Sequence, residues 1–143
     1  MDDFSRKISK LFLEQFPNWS SFVTKSDEVF EVKIPRPDKL DTPKLEIEAF
    51  GDELTVFFGP YHAHFDDYGN NNAFHDASIF IRQLTSNNYA VVSYWRGEQW
   101  CGSQIVNINK LPKDNAEYPY SDTITILTWS GDMDANIACN PIN

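Results

Sequence analysis

The chain has 143 residues, the length of one ordinary domain, so a single domain over residues 1–143 is expected. Twelve Lys and Arg stand against twenty-one Asp and Glu, and the net charge of −9 argues against a nucleic-acid backbone or an anionic membrane surface as partner. At 41% hydrophobic and 15% aromatic residues, the composition excludes a disordered chain.

Phe4, Ile8, Leu11, Phe12 and Phe16 recur at helical spacing and predict a first helix that Pro17 ends. Strands are then expected at 22–24, 29–34, 44–50 and 54–58, where β-branched and aromatic residues concentrate. In 44–50 the strict alternation turns Leu45, Ile47 and Ala49 to a core and Glu46 and Glu48 to water. Gly51-Asp52 reverses the chain into Leu54–Phe58 as a hairpin. The segment 35–43 holds three prolines and reads as a surface connection.

Asn70-Asn71-Asn72 supplies capping chemistry for a second helix over 73–86, with Phe74, Ala77, Ile81 and Leu84 on its buried face. Asn87-Asn88 closes it. Strands 89–95 and 100–106 flank a reversal at Arg96-Gly97-Glu98-Gln99, where Gly97 supplies a positive φ. Residues 107–122 read as loop, 123–129 as a last strand, and 132–143 as irregular. The expected fold class is α+β: a mostly antiparallel sheet of six or seven strands with two helices packed on it.

The negative charge is unevenly spread. Residues 1–44 hold eight basic and eight acidic side chains, whereas 45–143 hold four and thirteen. An asymmetry of this kind serves solubility or the capture of a basic partner. Cys101 and Cys139 are too few for a secreted disulfide scaffold. The start Met1-Asp2-Asp3-Phe4 has no signal-peptide character, and no apolar run approaches the roughly 18 residues of a membrane span. Together these predict a cytoplasmic protein with reduced thiols.

All three histidines lie within fourteen residues. On an extended chain His62, His64 and Asp66 share one side, so two imidazoles and a carboxylate, or His75, present a zinc-type set and a metal-dependent hydrolase as one reading. The other is structural or interface histidines, since no cysteine-based or helical zinc pattern completes the set. Asp66-Asp67-Tyr68 is the sharpest exposed feature, offering two carboxylates and a flat ring to Arg and Lys of a partner. Asp132 and Asp134 form a second, weaker acidic patch. Neither cysteine has the basic neighbours of a nucleophile, and no phosphate loop, Gly-x-Ser-x-Gly elbow or His-Glu-x-x-His helix occurs. Trp95 and Trp100 straddle the 96–99 turn, one expected on the core and one partly exposed, with Arg96 and Glu98 free to pair across it.

Residues 51–106, with Gly-Asp-Glu-Leu-Thr-Val-Phe-Phe leading into Tyr-His-Ala-His-Phe-Asp-Asp, then an amphipathic helix and Val-Val-Ser-Tyr-Trp-Arg-Gly-Glu-Gln-Trp-Cys-Gly-Ser, are similar in style to small acidic immunity proteins. These accompany bacterial polymorphic toxins, including those of contact-dependent growth inhibition systems. The resemblance implies a cytosolic inhibitor, not an enzyme, needing no cofactor or metal. Its partner would be a cognate, basic, nuclease-type toxin domain. Asp66, Asp67, Tyr68, His62, His64, Asp132 and Asp134 are the partner-binding candidates, and the His62/His64/Asp66 hydrolase is the alternative.

Overall fold

The computed structural model describes residues 1–36 and 39–142. It is α+β, with two antiparallel sheets and two long helices. The residues divide into two compact units: residues 1–58 with 62–82, and residues 59–61 with Gln83 onward.

In the first unit, helix α1 (Asp3–Gln15) begins where the Asp2 carboxylate accepts from the Ser5 N–H at 2.7 Å. The same carboxylate accepts from Gly51 N at 3.1 Å, which ties the helix start to a hairpin turn. A short 3-10 segment, Pro17–Phe22, leads into the strands β1 (Val23–Lys25), β2 (Phe30–Arg36), β3 (Lys39–Phe50), β4 (Glu53–Phe58) and β5 (Tyr61–Phe65), paired in chain order. Alternation does what the sequence predicts. Phe30–Ala49–Leu54, Val32–Ile47–Val56 and Ile34–Leu45–Phe58 form three cross-strand rows, every member buried. Helix α1 packs on β2, β3 and β4 with Ile8 and Phe12 buried, and Phe12 meets Phe30 edge-on at 5.7 Å. Phe16 stacks on Trp19 at 5.1 Å, with the Arg82 guanidinium 4.8 Å from its ring centre.

Two expectations for this unit are corrected. Segment 35–43 is strand on both sides of Pro37 and Asp38, which lie outside the described residues. Pro35 is paired with Pro43 where the register shifts, the place in a sheet at which a residue without an N–H is tolerated. Beyond Gly59-Pro60 the extended stretch through His62 and His64 is a further strand, β5, which the expected elements did not include. Gly59 (φ 57) before a proline gives the sign pattern of a tight hairpin turn.

Helix α2 (Ala73–Thr85) matches its predicted span, with Asn72 Oδ1 capping His75 N at 3.1 Å and Phe74, Ala77, Ile81 and Leu84 all buried. Asn87, at φ 63, ends the turn beyond it.

The second unit orders β6 (Tyr89–Arg96), β7 (Gln99–Asn107), β8 (Thr123–Leu127) and β9 (Ala135–Ala138) as β7-β6-β8-β9. Ala90, Val92, Tyr94, Ile124 and Ile126 build the core of one sheet face, and Cys101 and Cys139, both free thiols, pack at its margin. Burial pushes the Cys139 thiol pKa up, with Asp114 and Asp122 adding to it. Strand β9 corrects the irregular reading of 132–143; Ile137 opposite Ile124 is the apolar residue that seats it. Among the described residues the strand count therefore rises from the expected six or seven to nine, in two sheets. Arg96 donates to the Tyr120 carbonyl at 3.1 Å and lies 4.7 Å from that ring's centre, in place of the expected pairing with Glu98. Trp95 is half-buried and Trp100 is exposed, as the reading of the pair requires.

Gly97 and Gly59 both take positive φ, but a Cβ on Gly97 would meet nothing, whereas one on Gly59 would lie 2.6 Å from Leu127 Cδ2. Gly97→Val is therefore expected to destabilise through backbone strain alone, by about 1–2 kcal/mol. Gly59→Val should lower the urea midpoint further. Equal midpoints for the two variants would contradict this placement of the turns.

Candidate functional site

All the sharper candidates lie in the first unit, and the sheet sorts them. Thr55 and Phe57 alternate with the buried Leu54, Val56 and Phe58, so they face away from α1. His62 and His64 stand on this outer face, exposed. The His62 ring lies 5.8 Å from Phe57 and 5.0 Å from His64. His64 Nδ1 is 2.7 Å from Glu53 Oε1 and 3.0 Å from Thr55 Oγ1. Both partners converge on one ring nitrogen, so the contacts orient the imidazole and do not form a hydroxyl–imidazole–carboxylate relay, which needs both nitrogens. Glu31, Glu46 and Glu48 occupy the same outer face, half-buried, with Lys33 among them. Lys33 Nζ meets Glu31 Oε1 at 3.1 Å, and this hydrogen bond, with the charges of Glu31 and Glu46, raises the lysine pKa. Composition hid this grouping; the alternation of Glu46 and Glu48 was its only sequence signal.

Asp66 does not join the histidines. Its Oδ1 accepts from Tyr68 N at 3.0 Å and Asn71 Nδ2 at 2.9 Å, which folds the loop back on itself. Among the described residues no group of three His, Cys, Asp or Glu side chains could hold a metal ion. His75 sits exposed on α2.

Asp67 turns to the α1 side of the sheet. Its Oδ2 accepts from Lys7 Nζ at 2.6 Å and its Oδ1 from Ala73 N at 2.8 Å. One carboxylate thus bridges α1 to the first residue of α2, joining residues sixty positions apart that no local pattern pairs. The Lys7 hydrogen bond, then the Ala73 N–H, hold the Asp67 pKa below its ordinary value. Beside it opens a shallow groove of about 390 Å³ lined by Asp3, Phe4, Lys7, Asp52, Asp67 and Tyr68. Tyr68 is 66% exposed. Three carboxylates and two aromatic rings, Phe4 and Tyr68, therefore surround a single lysine that Asp67 already engages.

Asp132 and Asp134 belong to the second unit. Asp134 Oδ1 accepts from Thr128 N at 2.7 Å and Thr128 Oγ1 at 3.2 Å, bracing the turn between β8 and β9, while Asp132 is exposed. The two cysteines carry no basic side-chain partner in any contact described. Among the described residues no helix is long and apolar enough to cross a membrane. Comparison with protein-family models, curated proteins and solved structures returns no match to the chain.

The lowered pKa values of Asp67 and Asp2, the latter caused first by the Ser5 N–H, fix a sign. Both groups stabilise the fold above the ordinary carboxylate pKa of about 4 and lose that contribution as pH falls through it toward their lower folded values. Asp67→Asn should melt lower than wild type at pH 7, with the difference shrinking as pH falls toward 3. A difference that stays constant with pH would show that the ionised carboxylate is not what holds the two helices.

Proposed function

We propose that this chain is a protein-binding inhibitor of the immunity type, which captures a basic toxin domain, with the Tyr68 groove at the centre of its binding surface. The observation that carries the reading is the exposed Tyr68 ring among the carboxylates of Asp3, Asp52 and Asp67. An arginine of a partner can stack on the ring and pair with Asp52, or with Asp3 in exchange for its exposed 3.2 Å contact with Arg6. The excess negative charge of residues 45–143 supports the same reading, because long-range attraction raises the rate at which an inhibitor meets a basic target, by ~10–10³-fold. Asp66 and Asp67 support the site in different ways: Asp66 shapes the loop that presents Tyr68, and Asp67 fixes that loop to α1 and α2. The outer sheet face, with His62 and His64 among glutamates, and Asp132 in the second unit are accessory surfaces in this reading.

The hydrolase alternative retains one specific observation, the Glu53–His64 contact, which engages Nδ1 of an exposed imidazole and leaves Nε2 outside that contact. One equivalent of zinc kept by the purified protein through dialysis would favour it over the inhibitor.

The binding test uses basic, nuclease-type toxin domains as probes. Asp52→Asn, which suits the positive φ of that position, with Tyr68→Ala should weaken binding by at least ~10-fold and abolish protection of cells, with a melting curve near wild type, since both side chains are exposed. Full protection and unchanged association by the double variant would move the site away from the groove.

A further inference from the structure

Every open sheet presents two edges whose outward N–H and C=O groups can pair with another strand, and proteins blunt such edges by shortness, charge or cover. Three of the four edges here are short: β1 has three residues, β5 five and β9 four. The fourth, β7, has nine residues, Gln-Trp-Cys-Gly-Ser-Gln-Ile-Val-Asn, with neither a charge nor a proline. Strand β6 is the element that lies alongside it, and among the described residues no backbone group of 100–107 bonds outside that ladder. A bulge at Tyr94/Trp95 disturbs only its first part, leaving 102–107 regular opposite β6.

We propose that β7 pairs antiparallel with β7 of a second copy of this chain, joining two four-stranded sheets into one of eight strands. A two-fold axis at Gln104 brings Gln104 opposite itself, Ser103 opposite Ile105 and Gly102 opposite Val106, so each pair shares a face and no like charges oppose one another. The same register brings the Glu98 end of each strand toward the Lys110 end of the other. Both residues are exposed, and Lys110 and Glu98 are the first charges met beyond the two strand ends. That complementarity within an uncharged strand selects a second copy over a foreign peptide, in a chain whose net charge of −9 otherwise drives copies apart. The self-association is independent of the Tyr68 groove.

Sedimentation of the full chain at tens of micromolar tests it. Wild type should run at twice 16.5 kDa, and Gln104→Lys, which sets like charges face to face, should raise the dimer dissociation constant at least ~10-fold. Glu98→Lys and Lys110→Glu should each weaken the dimer, and the double exchange should restore it, a rescue that a folding defect would not produce. Amide exchange at 102–107 of wild type should slow as concentration rises. A monomer at every concentration, or a dimer indifferent to Gln104→Lys and to both charge changes, overturns the proposal.

Discussion

The Asp67 carboxylate is the constraint on which the candidate site depends. It accepts from Lys7 on α1 with one oxygen and from the first backbone N–H of α2 with the other. A helix start has unsatisfied N–H groups and a partial positive charge, and a carboxylate there answers both. Because the same group also holds a lysine, the loop from β5 to α2 is fixed against α1, and Tyr68 is carried on it with its ring to solvent. An acidic residue that sequence presents as a free recognition charge thus does its main work inside the molecule. Its neighbours in the groove are Asp52, from the β3–β4 turn, and Asp3, which meets the exposed Arg6 at 3.2 Å on the first turn of α1.

A second tie acts in the same region. Asp2 caps α1 through Ser5 and reaches Gly51 in that turn, so the helix start, the hairpin and the Asp67 bridge set the positions of the groove walls. The walls rest on regular structure: α1 lies on three rows of buried cross-strand pairs, and truncating one of these, such as Ile47, to alanine costs about 2–5 kcal/mol. A rigid groove binds without paying to order its own side chains, which favours affinity for a partner of matching shape.

Local pattern made most of the fold legible. Periodicity fixed α1 and α2 within a residue or two, and the alternation of Leu45, Ile47 and Ala49 fixed which face of β3 is buried. What escaped was set by partners distant in sequence. Strand β9, Ala-Asn-Ile-Ala, has too little β-propensity to announce itself and forms because β8 offers an edge. Prolines 35 and 43 read as loop because a proline cannot donate, yet facing each other at an irregularity they cost the ladder little. The candidate site divides the same way. Exposure of Tyr68 was readable from its turn-rich surroundings, whereas the Lys7–Asp67 pair spans sixty positions and Asp52 joins the groove only through the hairpin.

Mapping amide hydrogen exchange with and without a basic, nuclease-type toxin domain as the proposed partner tests the central claim most directly, because it locates the contact without altering a residue. The account predicts slowed exchange confined to the first turn of α1, the turn at 51–52 and the loop 66–72. Protection centred on the outer sheet face at 62–64 or on 131–136, with the groove amides unchanged, would contradict it.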